Sequence, residues 1–192
     1  MENIKIGLVG FGVVGQGFYN ILQTNTSFDI SFSKICVKQK GKRRPLPLEQ
    51  FTFDKNELLN DDSIDVIVEV IDDAQEAFLI VSEALRKGKN VVTSNKKMLA
   101  ENLTAIQEIQ KETGKTILYE GSACASIPII RTLEEYYDND FLDHVGGIFN
   151  VSTNYILTKI FKENKDFDIA LKQAQDLGYA ESDPTLDVIG YD

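Results

Sequence analysis

Along most of the chain, short apolar runs alternate with segments whose apolar residues recur at three- and four-residue spacing. Strand-length runs occupy residues 4–9, 32–37, 66–71, 91–93 and 117–119. Strands alternating with helices predict a parallel sheet covered on both faces. The clearest helix lies between the third and fourth runs. There Ala77, Ile80, Val81, Ala84 and Leu85 mark one face, and Lys87-Gly88 supplies a basic last turn and a glycine stop. A second helix is expected over residues 97–113, ending at Gly114, and Asp54 with Glu57 has the spacing of a capping box opening a short helix before the third strand.

After Pro128 a further helix is expected over residues 129–137, followed by the polar break Asp138-Asn139-Asp140. The break divides the chain into an expected first domain, 1–138, and a second segment, 139–192. In that segment residues 145–150 read as a strand, 153–161 and 167–176 as helices, and Gly178 opens a polar loop. Two helices and one strand are too little for an independent core, so the segment is expected to pack on the first domain or to continue into more chain.

With 192 residues, 43% of them hydrophobic, the chain can bury one full core. A formal net charge of -10 argues against a general nucleic-acid binder, which needs clustered Lys and Arg over a wide face. No apolar run has the length to cross a bilayer, and the N-terminus runs into a strand without a secretion pattern, so a soluble, cytoplasmic protein with no membrane partner is expected. Cys36 and Cys124 form no CxxC pair and are expected as buried free thiols. Against the acidic background stands one basic cluster, Lys38, Lys40, Lys42, Arg43 and Arg44. It is either a focused anion site or a solvated loop.

The sequence Gly10-Phe11-Gly12-Val13-Val14-Gly15 is a GxGxxG placed directly after the first strand and before a helix expected over residues 13–22. In that context Gly10 makes the tight turn, Gly12 lets the backbone approach a pyrophosphate, and Gly15 lets the helix pack on the strand. The free N–H groups and dipole of the helix N-terminus then receive the phosphates. The expected fold is therefore α/β, a Rossmann-type doubly wound parallel sheet, followed by the beginning of an α+β domain. A nicotinamide-dependent oxidoreductase is the class this implies. At the end of the second strand stands Cys36-Val37-Lys38, with no acid until Glu49. A cation at that place suits the 2′-phosphate of NADP, with NAD as the alternative.

From Thr93-Ser94-Asn95-Lys96-Lys97 onward the sequence resembles the homoserine dehydrogenases. The likeness runs through Tyr119-Glu120-Gly121-Ser122-Ala123, Ile127-Pro128-Ile129-Ile130, Gly147-Ile148-Phe149-Asn150 and Ser152-Thr153-Asn154-Tyr155. It ends in Leu177-Gly178-Tyr179-Ala180-Glu181-Ser182-Asp183-Pro184-Thr185-Leu186-Asp187 and Gly190-Tyr191-Asp192. The resemblance implies NAD(P)-dependent interconversion of L-homoserine and L-aspartate 4-semialdehyde, on the route from aspartate to threonine and methionine, by a full-length homodimer acting on a small molecule. It makes Lys96 the active-site lysine, able to donate to the substrate oxygen. To the cofactor contacts read from the glycine turn, Gly10, Phe11, Gly12, Val13, Val14 and Gly15, and from Lys38, it adds Thr93 and Lys96. Glu181 is implied as a substrate ligand, with Asp187 and Asp192 in or near the same pocket, where acids hold an ammonium. The segment from Glu120 to Ile127 resembles a monovalent-cation loop, for an ion such as sodium, with the Glu120 carboxylate and the carbonyls of Ala123, Ala125 and Ile127. His144 lacks a catalytic partner nearby and reads as structural.

Two local departures stand out: Asp72 and Asp73 occupy a place where the family usually has two glycines, and Val151 replaces a usual glycine. The family also continues into a further catalytic lysine, the rest of the substrate domain and the dimer interface, so a catalytically incomplete fragment is expected. Two other readings of the residues stay open. One is a related small-substrate enzyme of the aspartate dehydrogenase or imine reductase kind; the other is a non-catalytic module sensing NADP(H).

Overall fold

Six parallel strands in the order β3-β2-β1-β4-β5-β6 form the sheet: β1 Ile4–Val9, β2 Ile30–Cys36, β3 Phe51–Thr52, β4 Val66–Glu69, β5 Asn90–Thr93 and β6 Ile117–Leu118. The computed structural model describes residues 3–24, 29–124, 127–137, 141–180 and 183–189. Its contacts divide into two units, Met1–Ala125 and Ser126–Asp192. The strand order doubles back at β1, and in such sheets ligands bind in the crevice outside the carboxyl ends of the strands at that switch point.

The first unit builds one apolar layer on each face of the sheet. On one side Ile6, Leu8, Ile35 and Val68 meet helix α1 (Val13–Thr24), with Phe11, Tyr19 and Phe51 in edge contacts. On the other side Val9, Ile67 and Val91 pack under α2 (Asn56–Leu59), α3 (Ala74–Arg86) and α4 (Lys96–Thr113). The stripe read from the sequence is the buried face of α3: Ala77, Val81, Ala84 and Leu85 have no exposed surface and Ile80 almost none. Gly88 and Gly114 close α3 and α4 with positive φ, as the stop signals predict. The capping box opening α2 forms only in part. Asp54 Oδ1 accepts from the Asn56 backbone N–H at 2.9 Å, but Glu57 turns away to pair with Lys34 at 2.6 Å.

The second unit holds α6 (Ile129–Tyr136), α7 (Val151–Glu163), α8 (Phe167–Asp176) and α9 (Thr185–Ile189). Its small core is Ile156, Ala170, Ala174 and Ala180. Asn150 caps α7 by accepting from the Thr153 N–H at 2.7 Å, and the Ser152 hydroxyl donates to the Tyr179 carbonyl at 2.6 Å. Contacts place α6 in this unit rather than in the first domain drawn to residue 138, and α6 buries none of its own residues. The Asp138-Asn139-Asp140 break lies outside the described residues.

One expected strand does not form. Residues 141–150 are irregular, and among the described residues the second unit has no strand with which they could pair. An isolated extended run leaves its N–H and C=O groups without a ladder. His144 accordingly has no core role: its side chain is 85% exposed, 3.5 Å from the carboxylate of Asp143. Among the described residues no helix is long and apolar enough to cross a membrane.

Candidate nucleotide-binding and catalytic site

At the carboxyl ends of the strands, register aligns Cys36 of β2, Val9 of β1, Glu69 of β4 and Thr93 of β5 in one row. The residues that follow each of these strands form the site. After β1 comes the glycine turn. Gly10 takes φ of +101°, and a Cβ on it would lie 2.8 Å from the Val70 carbonyl oxygen, so only glycine fits there. Its N–H donates to the Cys36 carbonyl at 3.0 Å, tying the turn to β2. A Cβ on Gly15 would run into the Gly10 carbonyl, whereas one on Gly12 would meet nothing within 4 Å. Gly10 and Gly15 therefore serve packing, and Gly12 leaves open space beside the backbone, the cradle a pyrophosphate requires.

Phe11 is buried, with its ring in edge contact with Tyr19 and Phe51. Val13 and Val14 are exposed in the first turn of α1, offering their N–H groups rather than their side chains.

A cleft of about 960 Å³ opens beside this turn, walled by Gly10, Phe11 and Gly12 on one side and by Val70 and Ile71 on another. Lys38, Lys42 and Arg44 from the basic cluster line it. Arg44 is held in place: its guanidinium lies 5.2 Å from the Phe51 ring centroid and donates to the carbonyls of Gln39, at 2.6 Å, and Lys42, at 3.0 Å. Lys38 and Lys42 are exposed and make no ion pair among the described residues, leaving two cations for an anion. Lys40 instead rests over Phe53, 5.5 Å from its centroid. The opposite wall is acidic, with Asp72, Asp73 and Glu76, but two of these are engaged. Asp73 caps α3 by accepting from the Glu76 N–H at 3.0 Å, and Glu76 pairs with Lys55 at 2.8 Å.

Cys36, also in the wall, is a buried free thiol as expected, while Cys124 is only half-buried. Burial, reinforced by the charges of Asp54, Glu57 and Glu76, pushes the Cys36 thiol up to about 11. The thiol is thus neutral near pH 7 and acts as an apolar wall rather than a nucleophile.

Lys96 is the first residue of α4 and is exposed at the carboxyl end of β5. Asn95 caps that helix, accepting from the Met98 N–H at 2.9 Å, which fixes the turn carrying Lys96. Thr93 is buried, and its hydroxyl is committed to Glu69 at 2.6 Å. Glu69 itself was not singled out from sequence, although an acid inside an apolar strand run is a signal. Burial raises its carboxyl above the usual range, and hydrogen bonds from Thr93 and Ile71 oppose the rise.

Of the implied cation ligands, Glu120 and Ala123 stand in a short helix, α5 (Glu120–Cys124), where a loop is expected. Ile127 belongs to the second unit, where its carbonyl accepts from the Ile129 N–H at 2.8 Å. Ala125, Glu181 and Asp192 lie outside the described residues. Asp187 is on α9, with its side chain outside them.

Residues 10–120 match the model described as homoserine dehydrogenase, NAD binding domain, and residues 128–192 that described as homoserine dehydrogenase. The chain belongs to the homoserine dehydrogenase family. It is 39% identical to the homoserine dehydrogenase of Bacillus subtilis (strain 168) and 36% to that of Helicobacter pylori (strain ATCC 700392 / 26695). Each match covers all of this chain and 46% of the relative, so the chain spans under half of their length. A solved homoserine dehydrogenase from Thiobacillus denitrificans is similar at a TM-score of 0.81 and 31% identity, over 97% of this chain and 45% of that one. A hyperthermophilic archaeal homoserine dehydrogenase in complex with NADPH is similar at 0.75 and 27%, over 98% of this chain and 66% of that one. The glycine turn, Lys38, Thr93 and Lys96 all fall within the NAD-binding match.

Proposed function

We propose that the full-length protein interconverts L-homoserine and L-aspartate 4-semialdehyde, with NADP preferred over NAD. The observation that carries this reading is Lys96 held at the carboxyl end of β5 by the Asn95 cap, on the same sheet edge as a glycine turn with an open cradle. When bound there, the nicotinamide accepts or returns the hydride of the alcohol–aldehyde interconversion. The residues of this chain supply placement and charge. The backbone of Gly10, Phe11, Gly12, Val13, Val14 and Gly15 receives the pyrophosphate. Lys96 donates to the substrate oxygen, stabilising the charge that develops as its proton leaves or returns.

We assign Glu181, with Asp187 and Asp192, to the substrate ammonium, and Glu120 with the carbonyls of Ala123, Ala125 and Ile127 to a monovalent cation such as sodium. Both assignments rest on the resemblance of the motifs. A cytoplasmic homodimer, with a nucleotide domain followed by a substrate domain, is the corresponding setting.

Cofactor preference has its own test. Lys38 and Lys42 line the cleft, exposed and without an ion pair among the described residues, which supports reading them as the partners of a 2′-phosphate. Lys38→Glu is expected to weaken NADPH binding by about tenfold or more, the worth of one charge-assisted hydrogen bond, and to leave NADH nearly unchanged. Nicotinamide fluorescence titrations read both constants. Equal weakening of the two cofactors would remove the basic cluster from the 2′ site.

A further inference from the structure

Glu69 is the one buried acid among the described residues, with no exposed surface, and none of the ion pairs there includes it. It stands in the strand row between Val9 and Thr93, a position where an aliphatic side chain would avoid the cost of desolvating a carboxyl group. What the carboxylate holds is a closed ring of hydrogen bonds. Its Oε2 accepts from the Thr93 hydroxyl at 2.6 Å and its Oε1 from the Ile71 N–H at 2.7 Å. The Thr93 hydroxyl oxygen accepts from the Asn95 N–H at 3.1 Å, and the Asn95 side-chain amide donates back to the Ile71 carbonyl at 3.1 Å. The ring joins the segment that follows β4 to the segment that follows β5. Two functional segments hang from it: Lys96 follows Asn95, and Ile71 forms part of the cleft wall.

We propose that Glu69 is a positioning residue for the dehydrogenase reaction, fixing through Thr93 and Asn95 the first turn of α4 that carries Lys96, and through Ile71 part of the cleft wall. The proposal rests on the reading of Lys96 as the group that meets the substrate oxygen. A lysine side chain is long and flexible, so its effect on a reacting oxygen depends on how firmly its backbone is held. The ring holds that backbone without a charged partner, since every donor in it is an amide or a hydroxyl.

The test uses the full-length protein. Glu69→Gln keeps the shape but puts an amide donor where one of two donors must be accepted, and Thr93→Val removes the hydroxyl that links Glu69 to Asn95. Each is expected to lower kcat with homoserine by at least about tenfold with KM for homoserine within about threefold of the parent, and Glu69→Gln, at a position not assigned to the cofactor, should leave Kd for NADPH within about threefold as well. Because both break one ring, the double variant should be no worse than the worse single, and Thr93→Ser, which keeps the hydroxyl, should restore kcat to within about threefold. Should Glu69→Gln fail to fold, the Thr93→Val and Thr93→Ser pair reads the same ring.

A Glu69→Gln kcat near that of the parent, or losses that multiply in the double variant, would overturn the proposal. Lys96→Ala assayed alongside separates the two levels. An inactive Lys96→Ala with an unimpaired Glu69→Gln removes the role of Glu69 alone, whereas an active Lys96→Ala removes the role of Lys96 and that of Glu69 with it.

Discussion

Substituting Lys96 with alanine in the full-length protein is expected to cut homoserine turnover by roughly 10²- to 10³-fold while NADPH still binds. The side chain is the only part of the α4 first turn the substitution removes. Asn95 keeps its cap on the Met98 N–H, and Met98 and Leu99 remain buried beneath the helix. Lys96 is exposed, so truncating it opens no cavity, and thermal stability should hardly change. The loss should therefore fall on kcat, the signature of an interaction made chiefly as charge develops on the reacting oxygen. Steady-state kinetics with homoserine, beside a nucleotide titration and a melting curve, read all three. A variant that binds NADPH normally and turns over at the parental rate would take Lys96 out of the chemistry.

The glycine turn yields a contrast between two substitutions that look alike in sequence. Gly10→Ala forces a side chain into φ of +101° and places its Cβ 2.8 Å from the Val70 oxygen and 3.1 Å from Ile71 Cγ2. Strain and overpacking together should destabilise the protein by roughly 2–4 kcal/mol, lowering Tm by several degrees. Gly12→Ala meets no atom within 4 Å and should leave Tm unchanged. Its methyl group instead enters the space we assign to the pyrophosphate, so nucleotide binding should fall. Equal melting temperatures for the two variants would contradict the packing role assigned to Gly10.

The parts of this fold legible in the sequence were those with strong periodicity and unambiguous punctuation. The strand at residues 4–9, the helix ending at Gly88 and the helix over residues 167–176 all stand where the pattern puts them. Strand β3, Phe51–Thr52, is too short for alternation to show, and α9 is a single turn of five residues in what reads as a polar loop. Residues 145–150 failed in the other direction: apolar and β-branched residues predict an extended run, but a strand exists only where a partner ladder receives it.

In the candidate site, the glycine turn and Lys38 are marked by their own spacing and place in the chain, whereas Lys96 is marked only by the resemblance of the motif around it. The basic cluster reads as one patch in sequence, yet in the fold Lys38, Lys42 and Arg44 line the cleft while Lys40 lies over Phe53, itself part of the cleft lining. Glu69 was hidden for a physical reason: its meaning lies in Thr93, 24 positions away and brought beside it only by parallel pairing of β4 and β5.

The measurement that bears most directly on the whole account is NADP reduction by the purified full-length protein with L-homoserine as the only added alcohol. Homoserine-dependent appearance of NADPH, abolished when homoserine is withheld and lost in the Lys96→Ala variant, is the expected result. Tight NADPH binding with no homoserine-dependent reduction would contradict it, leaving the nucleotide-binding fold in place and removing the dehydrogenase reading.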